Sequence, residues 1–192
     1  MWLNGRALAS GARGSRFKSG HPDTMEGFSL WVTAQGNTQK RLEAVVKDLS
    51  KKFKGPNFEP HMTLLGPIPE GKEEVIRKAQ IFARKIAPFK LTLGNVDYSS
   101  TYFQCVFIRV KTSIPLLEAR MAAQKAFNIG SLFMPHISLY YGDVSPKVRE
   151  KIAKSIKLPN LSFIVDRIIV TPATLDPSKW KHLAEIPLSS FP

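Results

Sequence analysis

Phe58-Glu59-Pro60-His61-Met62-Thr63-Leu64-Leu65-Gly66 decides how the chain is read, because it returns 75 residues later as Phe133-Met134-Pro135-His136-Ile137-Ser138-Leu139-Tyr140-Tyr141-Gly142. Both copies run aromatic, any residue, proline, histidine, apolar, hydroxyl, apolar, and both end at a glycine. Successive side chains of an extended strand alternate between faces, so His61 and Thr63 share one face while Met62 and Leu64 take the other. His136 and Ser138 repeat this against Ile137 and Leu139. Each copy presents one imidazole and one hydroxyl to one side of a sheet whose other side is buried. Two such strands side by side would form a small polar cup.

Neutral imidazole accepts a proton and imidazolium donates one, and both forms are ordinarily accessible near neutral pH. Two of them can divide general-base and general-acid work on either side of one reacting centre. Hydroxyls at the i+2 positions can donate to the non-bridging oxygens of a bound anion. This layout suits phosphodiester cleavage with neither metal nor cofactor, and a strained cyclic phosphate is the substrate that asks least of it. A zinc site is the competing reading, but zinc takes three or four protein ligands and the two strands supply only His61 and His136. His182, near the end of the last expected strand, is the remaining approach and is expected on the surface; His21 sits beside a proline with no evident role.

The paired H-x-[ST] strands resemble the 2H phosphoesterase superfamily. The flanks Phe53-Lys54-Gly55-Pro56-Asn57-Phe58, Tyr102-Phe103-Gln104-Cys105-Val106-Phe107 and Met134-Pro135 are most similar to the plant and fungal cyclic phosphodiesterases within it. The resemblance runs from about Phe28 to the C-terminus, with four separated stretches in the same order. It implies a two-lobed α+β fold of pseudo-twofold symmetry, antiparallel sheets lining a central cleft and helices outside. It further implies hydrolysis of ADP-ribose 1″,2″-cyclic phosphate to ADP-ribose 1″-phosphate and of nucleoside 2′,3′-cyclic phosphates to 2′-phosphates. By position, the catalytic pair is His61 and His136, the phosphate-binding hydroxyls are Thr63 and Ser138, and the tyrosine that closes over the phosphate is Tyr141. Strict alternation instead puts Tyr140 on the histidine face.

Composition sets the frame. A chain of 192 residues, 43% hydrophobic, can bury one sizeable core, and residues 26–192 are expected to form a single bilobal domain, a monomer. The net charge of +13 favours anionic partners; the resemblance implies that the partner is a small cyclic phosphate nucleotide, with RNA ends as the alternative. Two other functions stay open, a 2H enzyme acting on RNA ends through a 2′,3′-cyclic phosphate or a 2′,5′ linkage, and a non-catalytic basic RNA-binding module. Lys54, Arg109 and Lys111 are candidate ligands for a second phosphate. The Gly-, Ser- and Arg-rich leader, residues 1–25, reads as a disordered extension ahead of Met25, with a cytoplasmic protein expected; a transit peptide over residues 1–24 and an organelle is the alternative. The single Cys105 excludes an intramolecular disulfide and lies in an alternating strand pattern, where it reads as a small buried or partly buried residue rather than a nucleophile. No run of 18 apolar residues exists, so no membrane span is expected.

Periodicity then predicts strands at 28–34, 58–65, 90–99, 102–111, 134–141, 161–172 and 180–187, with helices at 39–53, 70–87, 116–127 and 145–156, an order that is itself α+β. Asn37 and Thr38 offer helix caps, Gly55-Pro56 a stop, and Gly66 to Pro69 a loop.

Overall fold

Among the described residues of the computed structural model, aromatic and β-branched runs form eight strands: β1 (Phe28–Val32), β2 (Met62–Ile68), β3 (Phe89–Tyr98), β4 (Val106–Val110), β5 (His136–Tyr140), β6 (Ser162–Val165), β7 (Arg167–Pro172) and β8 (Ala184–Pro187). Runs with apolar residues at helical spacing form α1 (Gly36–Phe53), α2 (Lys72–Ala83), α3 (Ile114–Phe127) and α4 (Pro146–Ser155). Residues 27–189 are described; the basic leader with His21 and Met25 lies outside them.

The strands make two antiparallel four-stranded sheets, ordered β2-β1-β7-β8 and β5-β4-β3-β6. The orders match term by term, so β2 and β5, which carry the two motifs, are the corresponding edge strands. They also contact each other, joining the lobes along the motif edges. Pro60 and Pro135 precede the histidines there, where a missing backbone donor costs no ladder bond. The helices cross over: α1 leads into β2 yet packs on β5, and α3 leads toward β5 yet packs on β2. One apolar cluster runs through both sheets and all four helices, with Leu30, Met62 and Leu91 from strands against Leu42, Val75, Leu116 and Ile152 from helices.

Several boundaries differ from the periodic reading for local reasons. Residues 161–172 are two strands, β6 in one sheet and β7 in the other. The hinge falls where the buried positions change parity, from Phe163 and Val165 to Ile168 and Val170. Strand β2 starts after His61 and runs on through Gly66-Pro67 to Ile68, so the expected loop there is strand. A side chain at Gly66 would collide with Ser29 of β1, which explains glycine at the end of the first motif. Residues 99–105 form a turn ahead of β4, and 180–183 form a coil ahead of β8. Helix α1 is entered from Gln35 and Gly36, not capped by Asn37 or Thr38; Gly36 takes the left-handed φ of 58° that a side chain would resist. Gln35 spends its amide on Asp166, and Thr38 its hydroxyl on the Ser162 carbonyl.

Candidate active site

A β-bulge after each hydroxyl positions both motifs. Trp31 pairs with Thr63 but Leu30 pairs with Leu65, leaving Leu64 as an extra residue on β2. Phe107 pairs with Ser138 but Val106 pairs with Tyr140, leaving Leu139 extra on β5. The extra residue flips the faces that follow it. Tyr140 therefore turns into the core, 2% exposed, with its hydroxyl donating to the Phe53 carbonyl at 3.0 Å. Tyr141, just beyond the strand end, lines a hollow of about 230 Å³ together with His61, Thr63, His136 and Ser138. The alternation that placed Tyr140 on the histidine face is corrected by that bulge.

The two imidazoles are held alike. Nδ1 of His61 lies 2.7 Å from the Glu59 carbonyl, and Nδ1 of His136 lies 2.7 Å from the Met134 carbonyl. A carbonyl only accepts, so each Nδ1 carries the proton and each Nε2 is left to exchange one. Their surroundings differ in degree. His61 is 7% exposed, with Trp31 stacked on its face at 3.4 Å and Trp180 edge-on at 5.2 Å. Burial depresses its pKa to about 3 against the support of the Glu59 carbonyl, and the nearby charges of His136 and His182 lower it further. His136, partly exposed and edge-on to Phe107 at 5.2 Å, is also lowered by burial, with Arg109 adding to it against the Met134 carbonyl. Burial thus favours the neutral form of both rings in the free protein, most strongly at His61. For His61 the expectation that both protonation states are accessible near neutrality is corrected, because desolvation penalises the cation.

The hydroxyls are not equivalent. Thr63 is exposed, whereas Ser138 is 5% exposed and donates to the Phe103 carbonyl at 3.0 Å. Tyr141 stacks on Phe58 at 4.0 Å, and burial pushes its phenol up to about 12 against the hydrogen-bonding influence of Ser138. Gly55 makes room here: a side chain on it would sit 2.5 Å from the Tyr140 ring and 2.7 Å from the Tyr141 carbonyl oxygen.

Arg120 of α3, 4% exposed, ties the motifs together. Its guanidinium donates to the Leu64 carbonyl on β2 and to the Ser131 carbonyl and hydroxyl ahead of β5, and lies 4.9 Å from the Phe133 ring.

Some side chains were not legible from spacing. Trp180, assigned to the last strand, instead follows a 3₁₀ turn at Pro177–Lys179 and completes the wall, its indole donating to the Thr174 carbonyl at 2.8 Å. Thr174-Leu175-Asp176-Pro177-Ser178 carried the turn signal, and Asp176 accepts from the Ser178 amide as such a turn requires. Among the described residues no lysine or arginine lines the hollow, so Lys54, Arg109 and Lys111 are not brought to it. Arg109 is bound to Asp97 at 2.6 Å. His182 does not line it either.

A family model described as "Cyclic phosphodiesterase-like protein" matches residues 25–158. The chain belongs to that family. It is a phosphoric diester hydrolase, with cyclic phosphodiesterase activity, of the 2H phosphoesterase fold. Relatives include an Arabidopsis thaliana protein named cyclic phosphodiesterase, 24% identical over 148 residues, covering 73% of this chain and 82% of that protein. Another is a Yarrowia lipolytica 2′,3′-cyclic-nucleotide 3′-phosphodiesterase, 28% identical over 137 residues, covering 66% of this chain and 62% of that protein. Among solved structures, Escherichia coli LigT without ligand superposes with a TM-score of 0.60 at 14% identity, over 86% of this chain and 98% of LigT. A Thermus thermophilus protein superposes with a TM-score of 0.57 at 19% identity, over 85% of this chain and 98% of that one. At these identities the solved structures establish the two-lobed architecture. Among the described residues no helix is long and apolar enough to cross a membrane.

Proposed function

We propose that the hollow hydrolyses ADP-ribose 1″,2″-cyclic phosphate to ADP-ribose 1″-phosphate and nucleoside 2′,3′-cyclic phosphates to 2′-phosphates, without metal or cofactor. The observation that supports this most is the pairing of two imidazoles at one hollow, each with Nδ1 committed to a carbonyl and a hydroxyl two residues beyond. One histidine takes a proton from the water whose oxygen attacks phosphorus. The bond from phosphorus to one ester oxygen of the ring breaks, and the other histidine delivers a proton to that oxygen. One water is consumed and no electrons are transferred. Thr63 and Ser138 donate to the non-bridging oxygens, Ser138 by turning its hydroxyl from the Phe103 carbonyl, and Tyr141 covers the phosphate. Because burial favours the neutral rings, the substrate helps to create the acid: a phosphodiester anion against both imidazoles favours the charged form that desolvation penalises.

The activities in the names of the Arabidopsis and Yarrowia relatives support the substrate class. LigT structures with phosphate, 3′-AMP, ATP and NADP⁺ supply a set of anionic probes. The test is a panel of ADP-ribose cyclic phosphate, 2′,3′-cyclic mononucleotides, an oligonucleotide ending in a 2′,3′-cyclic phosphate and a 2′,5′-linked dinucleotide, with products identified by phosphorus NMR in chelator. Hydrolysis of the first two, lost by about 10²- to 10⁴-fold in kcat on His61→Ala or His136→Ala, is the expected result. Preference for the oligonucleotide would move the substrate to RNA ends. Turnover of nothing, with salt-sensitive RNA binding that survives both substitutions, would replace the enzyme reading with a binding module.

A further inference from the structure

His182 lies two residues beyond Trp180, in the segment that enters β8, and both of its ring nitrogens face carboxylates. Nε2 is 2.7 Å from Glu59 Oε2, and Nδ1 is 3.0 Å from Glu185 Oε1. A carboxylate can only accept, so satisfying both contacts requires a proton on each nitrogen, the imidazolium form. Glu59 is also the residue whose backbone carbonyl takes the Nδ1 proton of His61. The side chain and main chain of one residue thus join His182 to the buried imidazole of the hollow.

We propose that charged His182 is a positioning residue, which grips Glu59 and through its carbonyl holds the His61 ring in its working orientation. It touches no substrate, and its kinetic consequences rest on the hydrolytic reading above. The same segment supplies Trp180, edge-on to His61 at 5.2 Å, so loosening it disturbs the ring from two sides. Charged side chains from several elements surround His182. Glu59 comes from the segment ahead of β2, and Glu185 from β8. Glu185 is shared with Arg167 of β7 at 2.9 Å, and Arg167 is bound in turn to Asp166 at 3.0 Å. Lys40 and Glu43 of α1 line the same recess, and Lys181 is adjacent in sequence. Partial burial works against the charged ring, but the hydrogen bonds to Glu185 and Glu59 outweigh it and raise its pKa above 6.5. The grip is therefore complete below that ordinary value and is lost as pH rises through the raised one.

The experiment follows ring carbon–proton correlations of wild-type protein across pH, with the chain's four histidines assigned by His→Gln variants. The His182 signal is expected to titrate above pH 6.5, the His61 signal to report the same midpoint, and His182→Gln to abolish that response. In turnover, His182→Gln loses about threefold to tenfold in kcat at pH 6.5 with a smaller change in KM. His182→Lys, which stays charged into the alkaline range, restores kcat and flattens its alkaline decline. A His61 signal that ignores the His182 titration, or a His182→Gln enzyme matching wild type in kcat and pH profile, overturns the assignment. If wild type hydrolyses no cyclic phosphate, the hydrolytic reading fails, and the NMR measurement still decides whether His182 holds His61.

Discussion

Acid should destabilise this protein through His61, by an amount that follows from its burial. The folded chain holds that imidazole neutral down to about pH 3, while the unfolded chain protonates it at its ordinary 6.5. Above 6.5 neither state is protonated and the group contributes no pH dependence. Between the two values the unfolded state binds one proton more, so stability falls with falling pH at up to about 1.4 kcal/mol per pH unit. At pH 4.5 the accumulated loss from this one ring is about 2 to 3 kcal/mol. His136, lowered by burial as well, acts in the same direction. Urea unfolding followed by circular dichroism at pH 7.5, 5.5 and 4.5, in wild type and His61→Gln, isolates the effect. The variant forfeits the Trp31 stack at every pH, so the quantity of interest is the difference in pH dependence between the two proteins. Wild type is expected to lose about 2 to 3 kcal/mol more than the variant between pH 7.5 and 4.5, at unchanged m-value. Parallel pH dependences would mean that His61 titrates normally when folded, refuting the desolvated imidazole on which the linkage between substrate charge and acid catalysis depends.

Anion binding should draw in a proton: sulfate, which does not itself titrate in this range, is expected to bind more tightly as pH falls from 8 to 6, by up to about tenfold per unit. Calorimetry in buffers of different ionisation enthalpy counts the proton, and a zero count contradicts the neutral imidazoles of the free protein. Gly55→Ala should cost about 1 to 3 kcal/mol by thermal melting, because the added methyl meets the Tyr140 ring and the Tyr141 backbone; an unchanged melt would show that this contact relaxes freely. Arg120→Met should cost about 2 to 3 kcal/mol in urea unfolding by stripping the Leu64 and Ser131 carbonyls of a charged donor. A neutral effect there would show that water replaces the guanidinium.

The two H-x-[ST] copies were legible because everything they encode is local: proline, histidine and hydroxyl on an edge strand, an apolar face beneath, and a spacing that announces two related halves. The α+β class and most element positions followed from periodicity for the same reason, since each apolar stripe reports the face its own segment buries. Even the break inside 161–172 is written as a change of parity between Val165 and Ile168. What local pattern could not encode is anything that depends on a partner strand. Whether Tyr140 or Tyr141 meets the hollow turns on how many residues β5 places opposite Val106 and Phe107, and a bulge exists only between two strands. The depressed basicity of His61 needs Trp31 on one neighbour and Trp180 from the far end of the chain, and its link to His182 spans 123 residues through Glu59. Residue types and their alternation thus name the candidate reacting groups, while protonation state and orientation come from chain segments far apart in sequence, because desolvation and hydrogen bonding are properties of the assembled surroundings rather than of the residue.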